Sequence, residues 1–351
     1  MSLQNLSPYA AAQTITRDGE GRICVTVAVK ACFEWDGRQS LHPAPPEPLR
    51  LTESHGGEPT SGQWLPAEVG PVKPAVDIVL VGALAFPAEI RECDVTLQIG
   101  ARLRKTIRVF GPRYWYAPAG AEPSPTPPRP AARVPIDWTL SFGGSDPSDP
   151  SHVEMRNPVG TGVAARADSL ASRPAPSFDD PARPMKSWKD RAAPVGFGPI
   201  PAHWQPRARY SGTYDETWRQ ERSPLPPEDF DPRFFNTAPE DQQLLSYQAG
   251  EELRLVYGGL GTQALFPLPA LPAPVTFVTD RAVLHTEARV DTLVVEPEAR
   301  RLTVIARAAF VPLPSVVAFR ETLVGFLSKG RRRALDTGRR YLRRAATRGN
   351  V

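Results

Sequence analysis

Cysteine, histidine and long apolar runs are scarce, and each shortage excludes something. The chain has three cysteines in 351 residues, Cys24, Cys32 and Cys93, an odd count without a CxxC pair. A disulfide scaffold and a cysteine-based zinc site are therefore excluded, and free thiols in a reducing compartment are expected. The five histidines, His42, His55, His152, His203 and His285, are dispersed with no HxH or HExxH spacing. No metal site and no cofactor are expected from them. No apolar run reaches the ~18 residues of a membrane helix. The opening MSLQNLSPYAAAQ has no basic region followed by an apolar one, so no signal peptide is expected, and the cytoplasm is the expected compartment. Ser141-Phe142-Gly143-Gly144-Ser145 is not a G-x-S-x-G nucleophile elbow. Gly160-Thr161-Gly162 and Gly196-Phe197-Gly198 lack the strand-to-helix setting and the lysine of a phosphate loop.

Proline is abundant instead. The chain has 41, about 12% against a usual ~5%. Proline has no amide donor and breaks helices and central strands. Ordinary apolar content, at 41%, with this much proline points to a β-rich body carrying long ordered loops. Charge is uneven: from residue 318 onward there are ten Lys/Arg and two Asp/Glu, while the remainder holds 32 and 36. A mildly acidic body thus carries a strongly basic tail.

Period-two patterning marks the strands. Ile23, Val25, Val27, Val29, Ala31 and Phe33 predict a long half-buried strand. Val76–Gly82 reads as a strand buried on both faces. Cys93–Ile99 and Leu103–Val109, joined at Gly100-Ala101, predict a hairpin whose exposed side carries arginines. Val134, Ile136, Trp138 and Leu140 predict a further strand. Short strands follow from Leu253, Gln263 and Val275, and a second hairpin joins Val290–Glu296 to Arg301–Ala306. Residues 38–71, the Pro/Ala-rich 117–132, and 145–190 read as irregular. No helix is expected before residue 315 beyond a turn or two near 240–247. Phe319, Leu323, Phe326 and Leu327 fall on one helical face, so residues 316–351 are expected to form a basic helical tail. Such a tail suits an acidic partner or a membrane surface; no specific nucleic acid is implied. The expected class is mainly β: a β-sandwich-type body over 1–315, divisible into halves near 1–145 and 190–315.

The stretch from Val195 to Gln243 stands apart. It is too polar for a core strand, too rich in proline for a helix interior, and too aromatic for a disordered linker. Its aromatics and arginines have the composition of an interface hot spot. Trp204, Arg207, Tyr210, Tyr214, Asp215, Trp218, Phe230, Arg233 and Phe234 are the candidate protein-binding residues. Asp215, Glu216 and Asp229, beside tryptophans, permit a second reading as a carbohydrate-active enzyme or sugar-binding module. The competing reading ties these carboxylates into turn caps and Arg pairs.

Several stretches carry a family likeness: LQNLSPYAA, AVKACFEW, PVKPAVDIVLVGALAFP, IRVFGPRYW, NPVGTG, GTYDETW with LPPEDFDPRFFN and APEDQQ, and VDTLVVEPEARRLTVIAR. On these the chain resembles a bacterial accessory family of type VI secretion, catalogued as a domain of unknown function. The likeness covers roughly residues 1–310. It does not account for the Pro-rich insert at 117–132 or the tail. The resemblance implies a non-enzymatic cytoplasmic adaptor or chaperone, which binds an effector or its PAAR-like domain and helps load it on the spike. It implies no catalytic residues.

Overall fold

The computed structural model of the chain describes residues 2–37, 40–55, 63–116, 118, 121–146, 148–311, 319–339 and 341. The fold is mainly β, with three principal sheets and, among the described residues, two α-helices. The largest sheet runs Gln243–Leu244, Val76–Leu80, Arg289–Glu296, Arg301–Phe310, Ile23–Trp35 and Ala10–Arg17, with Leu41–Pro43 also paired to Ile23–Trp35. Only Val76–Leu80 and Arg289–Glu296 pair parallel within it; the other neighbours are antiparallel. The second sheet runs Phe178–Asp179, Leu103–Phe110, Glu92–Ile99, Glu252–Tyr257 and Gly261–Pro267. A four-stranded sheet joins Ser2–Asn5, Phe319–Val324, Pro274–Thr279 and Val283–Glu287.

These sheets bury their inner faces in one continuous core. Val25, Val27, Val29 and Ala31 from the largest sheet meet Val95, Leu97, Ile99, Leu253 and Leu255 from the second, and Val275 and Phe277 join from the third. Every second residue of each strand points inward, which is why the period-two pattern identified them. Both expected hairpins are present, closing at Ile99↔Leu103 and at Glu296↔Arg301.

Four expectations need correction. Ile23–Trp35 is not half-buried: Val25 through Cys32 are buried on both faces. Two described segments, before residue 56 and after residue 62, cover its outer face, placing Leu49 against Ala28 and Glu68 against Lys30. The expected strand through Val134–Leu140 stops at Pro135, and Trp138–Leu140 is a 3-10 turn. Asp137 causes the change by accepting from Thr139 N and Oγ1, both at 2.8 Å, a local cap that outcompetes the ladder. Glu216–Glu221 is an α-helix where none was expected, capped by Asp215. Among the described residues, the tail's helix spans Lys329–Asp336. Phe319–Val324 forms a strand instead, because Ser2–Asn5 and Pro274–Thr279 pair with it on either side. Residues 316–318, 340 and 342–351 of that tail lie outside the described residues. Among the described residues, no helix is long and apolar enough to cross a membrane. The three cysteines are free; Cys32 and Cys93 are buried and Cys24 is partly so.

Candidate functional site: the loop over the sheet edge

The edge strand Val76–Leu80 is buried throughout. Beyond its short pairing with Gln243–Leu244, its outer backbone groups find partners in the loop from Val195 to Gln243. Leu80 N donates to the Phe197 carbonyl at 3.0 Å. The Gln242 side-chain amide bridges strand and loop: its Nε2 donates to the Ile78 carbonyl at 2.7 Å and to the Phe197 carbonyl at 2.9 Å. Asn236 Nδ2 donates to the Ala75 carbonyl and to Asp77 Oδ1, each at 2.8 Å. Thr237 N and Oγ1 reach Asp77 Oδ2 at 2.7 and 3.0 Å, and Lys73 Nζ reaches the same oxygen at 2.7 Å. Burial alone would push the Asp77 carboxyl up, but Lys73 and the Thr237 and Asn236 donors hold it below the ordinary carboxylate range.

Aromatic packing locks the same inner half. Trp138 donates through Nε1 to the Pro199 carbonyl at 3.0 Å and meets Trp204 edge-on, with ring centroids 6.2 Å apart. Gly196 passes against the Trp138 ring so closely that a Cβ there would sit 2.9 Å from it. Arg207 is buried, sends Nη2 and Nε to the Phe234 carbonyl at 2.8 and 3.2 Å, and sends Nη1 to the Ile200 carbonyl. Burial, opposed by the more distant Asp77 and Glu53, pushes its guanidinium down to about 10. From the opposite sheet, Lys105 Nζ donates to the Gly196 carbonyl at 2.7 Å and to Asp241 at 2.8 Å.

The outer half is different. Tyr210 lies between two guanidinium groups, Arg209 at 4.7 Å and Arg233 at 4.4 Å from its ring centroid. Its hydroxyl donates to Glu240 Oε1 at 2.8 Å, and Arg209 pairs with the same carboxylate. A shallow cavity of 300 Å³ opens here between Arg207, Arg209, Tyr210, Arg233 and Glu240. Tyr214 is 56% exposed and packs on Trp218 at 4.6 Å between centroids. Trp218 is half-buried and fixes its indole by donating to the Leu225 carbonyl at 2.8 Å. Phe230 and Phe234 are half-buried in a cluster with Phe235.

The nine residues singled out in the sequence therefore divide. Tyr210, Tyr214, Asp215, Trp218, Phe230, Arg233 and Phe234 belong to the accessible or partly accessible half. Trp204 and Arg207, 3% and 7% exposed, belong to the clamp beneath. The carboxylates of the carbohydrate reading are engaged in local structure. Asp215 accepts from Trp218 N at 2.8 Å, Glu216 from Arg219 and Gln220, and Asp229 from Thr213 N and Oγ1 at 2.9 and 2.8 Å. Among the described residues no group of His, Cys, Asp and Glu is arranged to hold a metal ion. Sequence reasoning missed Asp77, Trp138, Asn236 and Gln242, because their partners lie in distant parts of the chain and leave no local signal.

No curated protein and no solved structure matches the chain. One family profile does match, over residues 20–307, a span that holds the whole of the loop and the strands from Ile23–Trp35 to Arg289–Glu296. The chain therefore belongs to the bacterial family described as "Uncharacterized protein conserved in bacteria (DUF2169)".

Proposed function

We propose that this chain is a non-enzymatic cytoplasmic adaptor that binds a type VI secretion effector, or its PAAR-like domain, and helps load it on the spike complex. One observation carries the reading: a half-exposed patch of Tyr210, Tyr214, Trp218 and Arg233 stands on a loop whose inner half is clamped to the sheet. Aromatic and Arg side chains are the residues that dominate interface energetics. A patch held rigid before binding loses little conformational entropy on docking. The resemblance on GTYDETW, LPPEDFDPRFFN and APEDQQ supports the same assignment, since those segments build this loop. The loop's carboxylates are occupied in caps and Arg pairs, an arrangement that suits recognition better than acid–base chemistry. The adaptor's action would be to cover apolar effector surface and deliver it to the spike.

The test is co-purification with the product of the neighbouring gene. Tyr214→Ala, Trp218→Ala and Arg233→Ala together are expected to abolish capture while thermal unfolding shifts by only a few degrees. Undiminished capture by a folded triple variant sinks the patch as the contact surface. Failure of the wild-type chain to retain any neighbouring gene product sinks the adaptor reading itself.

A further inference from the structure

The strand Phe319–Val324 leaves the four-stranded sheet through a short turn into the basic helix Lys329–Asp336. The turn is fixed. Leu6 N donates to the Val324 carbonyl at 2.7 Å, and Gly325 N donates to the Pro274 carbonyl at 2.8 Å. Gly325 has φ +109°, and a Cβ there would lie 2.7 Å from Ser7 N and 2.8 Å from the Leu6 carbonyl carbon. The two segments thus pass in backbone contact, and large apolar side chains on either side of it are left in solvent. Phe326 is 75% exposed, the most of any Phe, Tyr or Trp among the described residues. Leu6, next to Gly325, is 44% exposed. Ser328 Oγ accepts from Arg331 N at 3.2 Å to cap the helix and lies 3.4 Å from the Tyr341 hydroxyl. That contact returns a second partly exposed ring to the same end of the helix.

Two ties orient the helix. Arg331 Nη2 donates to Gln4 Oε1 at 2.6 Å, and Asp336 Oδ1 lies 3.0 Å from His285 Nε2. Arg331, Ala334 and Leu335, at i, i+3 and i+4, are partly covered, while Lys329, Arg332 and Arg333 are exposed. Residues 326–339 hold five cations and one acid, Asp336. Glu321, on the preceding strand, accepts from Gln4 Nε2 at 3.2 Å. Among the described residues no carboxylate pairs with Lys329, Arg331, Arg332, Arg333 or Arg339. Arginines on the body surface are treated differently: Arg102 faces Glu251, Arg108 Asp94, Arg133 Glu298 and Arg254 Glu252. The positive charge at the helix is therefore uncancelled, and it stands beside exposed apolar tips. That combination matches the boundary of an anionic bilayer, which takes rings and aliphatic tips among its headgroups and offers phosphates to the cations. A nucleic acid would engage the arginines and stack on Phe326, but it gives Leu6 nothing to bury against.

We propose that this end of the molecule docks on an anionic lipid surface, a contact separate from the loop over the sheet edge. Phe326 and Leu6 enter the headgroup region, and Lys329, Arg332 and Arg333 meet lipid phosphates. An apolar tip or a basic cluster alone holds a membrane weakly, and the two together hold it stably.

The experiment uses the full chain and two kinds of vesicle, phosphatidylcholine alone and phosphatidylcholine with about one-third phosphatidylglycerol. Vesicle flotation measures the bound fraction. The wild type is expected to bind the anionic vesicles at least about tenfold more tightly than the neutral ones, and to lose that preference as salt shortens the screening length. Phe326→Ser is expected to weaken binding by about tenfold. Arg332→Glu with Arg333→Glu should weaken it by at least about as much. These side chains are exposed, so thermal unfolding should change little and the variants stay comparable with the wild type. Arg104→Glu with Arg300→Glu makes the same charge change at exposed positions of the body and should bind within about threefold of the wild type. Equal binding of the wild type to both vesicles overturns the proposal, as does wild-type affinity in Phe326→Ser. A body variant that loses as much as the helix variant reduces the effect to general charge attraction and overturns it too. Tighter binding to a duplex oligonucleotide than to the vesicles, unchanged by Phe326→Ser, assigns the patch to nucleic acid and likewise overturns it.

Discussion

Asp77→Ala is the perturbation that most directly tests whether the loop is anchored from below. The Asp77 side chain is 0% exposed and that of its partner Lys73 7%. The carboxylate accepts from Lys73 Nζ, Asn236 Nδ2, Thr237 N and Thr237 Oγ1 at 2.7–3.0 Å. Its removal leaves an ammonium buried without a counter-charge and a backbone N–H without its acceptor. Breaking a buried pair in this way costs about 3–5 kcal/mol, a large fraction of the ~5–15 kcal/mol that holds a native protein together. Urea unfolding reads this as a midpoint lowered by roughly 1–1.7 M for a slope near 3 kcal/mol/M. Combining Asp77→Leu with Lys73→Met removes both charges, and its cost should fall below the sum of the singles by about 2 kcal/mol. The pH dependence has a definite sign. The folded carboxyl lies below its unfolded value of ~3.9, so its contribution is present above that value and is lost as pH falls through the lower folded one. Asp77→Ala should therefore flatten the acid limb of the stability curve. Limited proteolysis within residues 211–223 should accelerate, because the covering segment loses its tie. A cost under about 1 kcal/mol, the worth of a surface pair, would refute the buried-anchor argument.

Other outcomes follow from the same contacts. Gly196→Ala forces a Cβ to 2.9 Å from the Trp138 ring and should cost about 1–3 kcal/mol by overpacking, measured by thermal unfolding. Trp204→Ala empties the space against Trp138 and Ile200 and should cost about 3–5 kcal/mol. Tyr214→Ala, with its ring largely in solvent, should cost under about 1 kcal/mol in the same assay. Deleting residues 326–351 removes the basic helix but leaves the core intact, so a cooperative transition should persist. Deletion from residue 318 also removes Phe319–Val324, which separates Ser2–Asn5 from Pro274–Thr279, and should abolish it.

How much could be seen in the sequence follows from where each residue finds its partner. Strands such as Glu92–Ile99 and Arg289–Glu296 were legible because burial on one face writes a period of two into the chain itself. Phe319–Val324 was not, because Phe319, Leu323, Phe326 and Leu327 match a helical face equally well. What decides is pairing with Ser2–Asn5, more than 300 residues away in the chain, and Phe326 ends 75% exposed rather than on an apolar face. The loop's aromatic composition announced order, yet composition cannot rank Trp204 against Tyr214. Trp138 ranks them, and it lies in a different part of the chain.

The excess of proline explains why so many of these anchors are side chains. Each proline removes an amide donor from the backbone but keeps its carbonyl. A Pro-rich segment laid over a sheet therefore carries more acceptors than donors and cannot be held by a regular ladder. The donors come from side chains instead. Lys30 reaches the Pro48 carbonyl, Arg50 that of Pro66, Arg113 that of Pro176, Trp138 that of Pro199, Arg222 that of Pro226 and Tyr247 that of Pro269. Long, donor-rich side chains buried beneath irregular loops are thus the counterpart of the missing amides. That accounts for cations deep in a β fold without invoking catalysis.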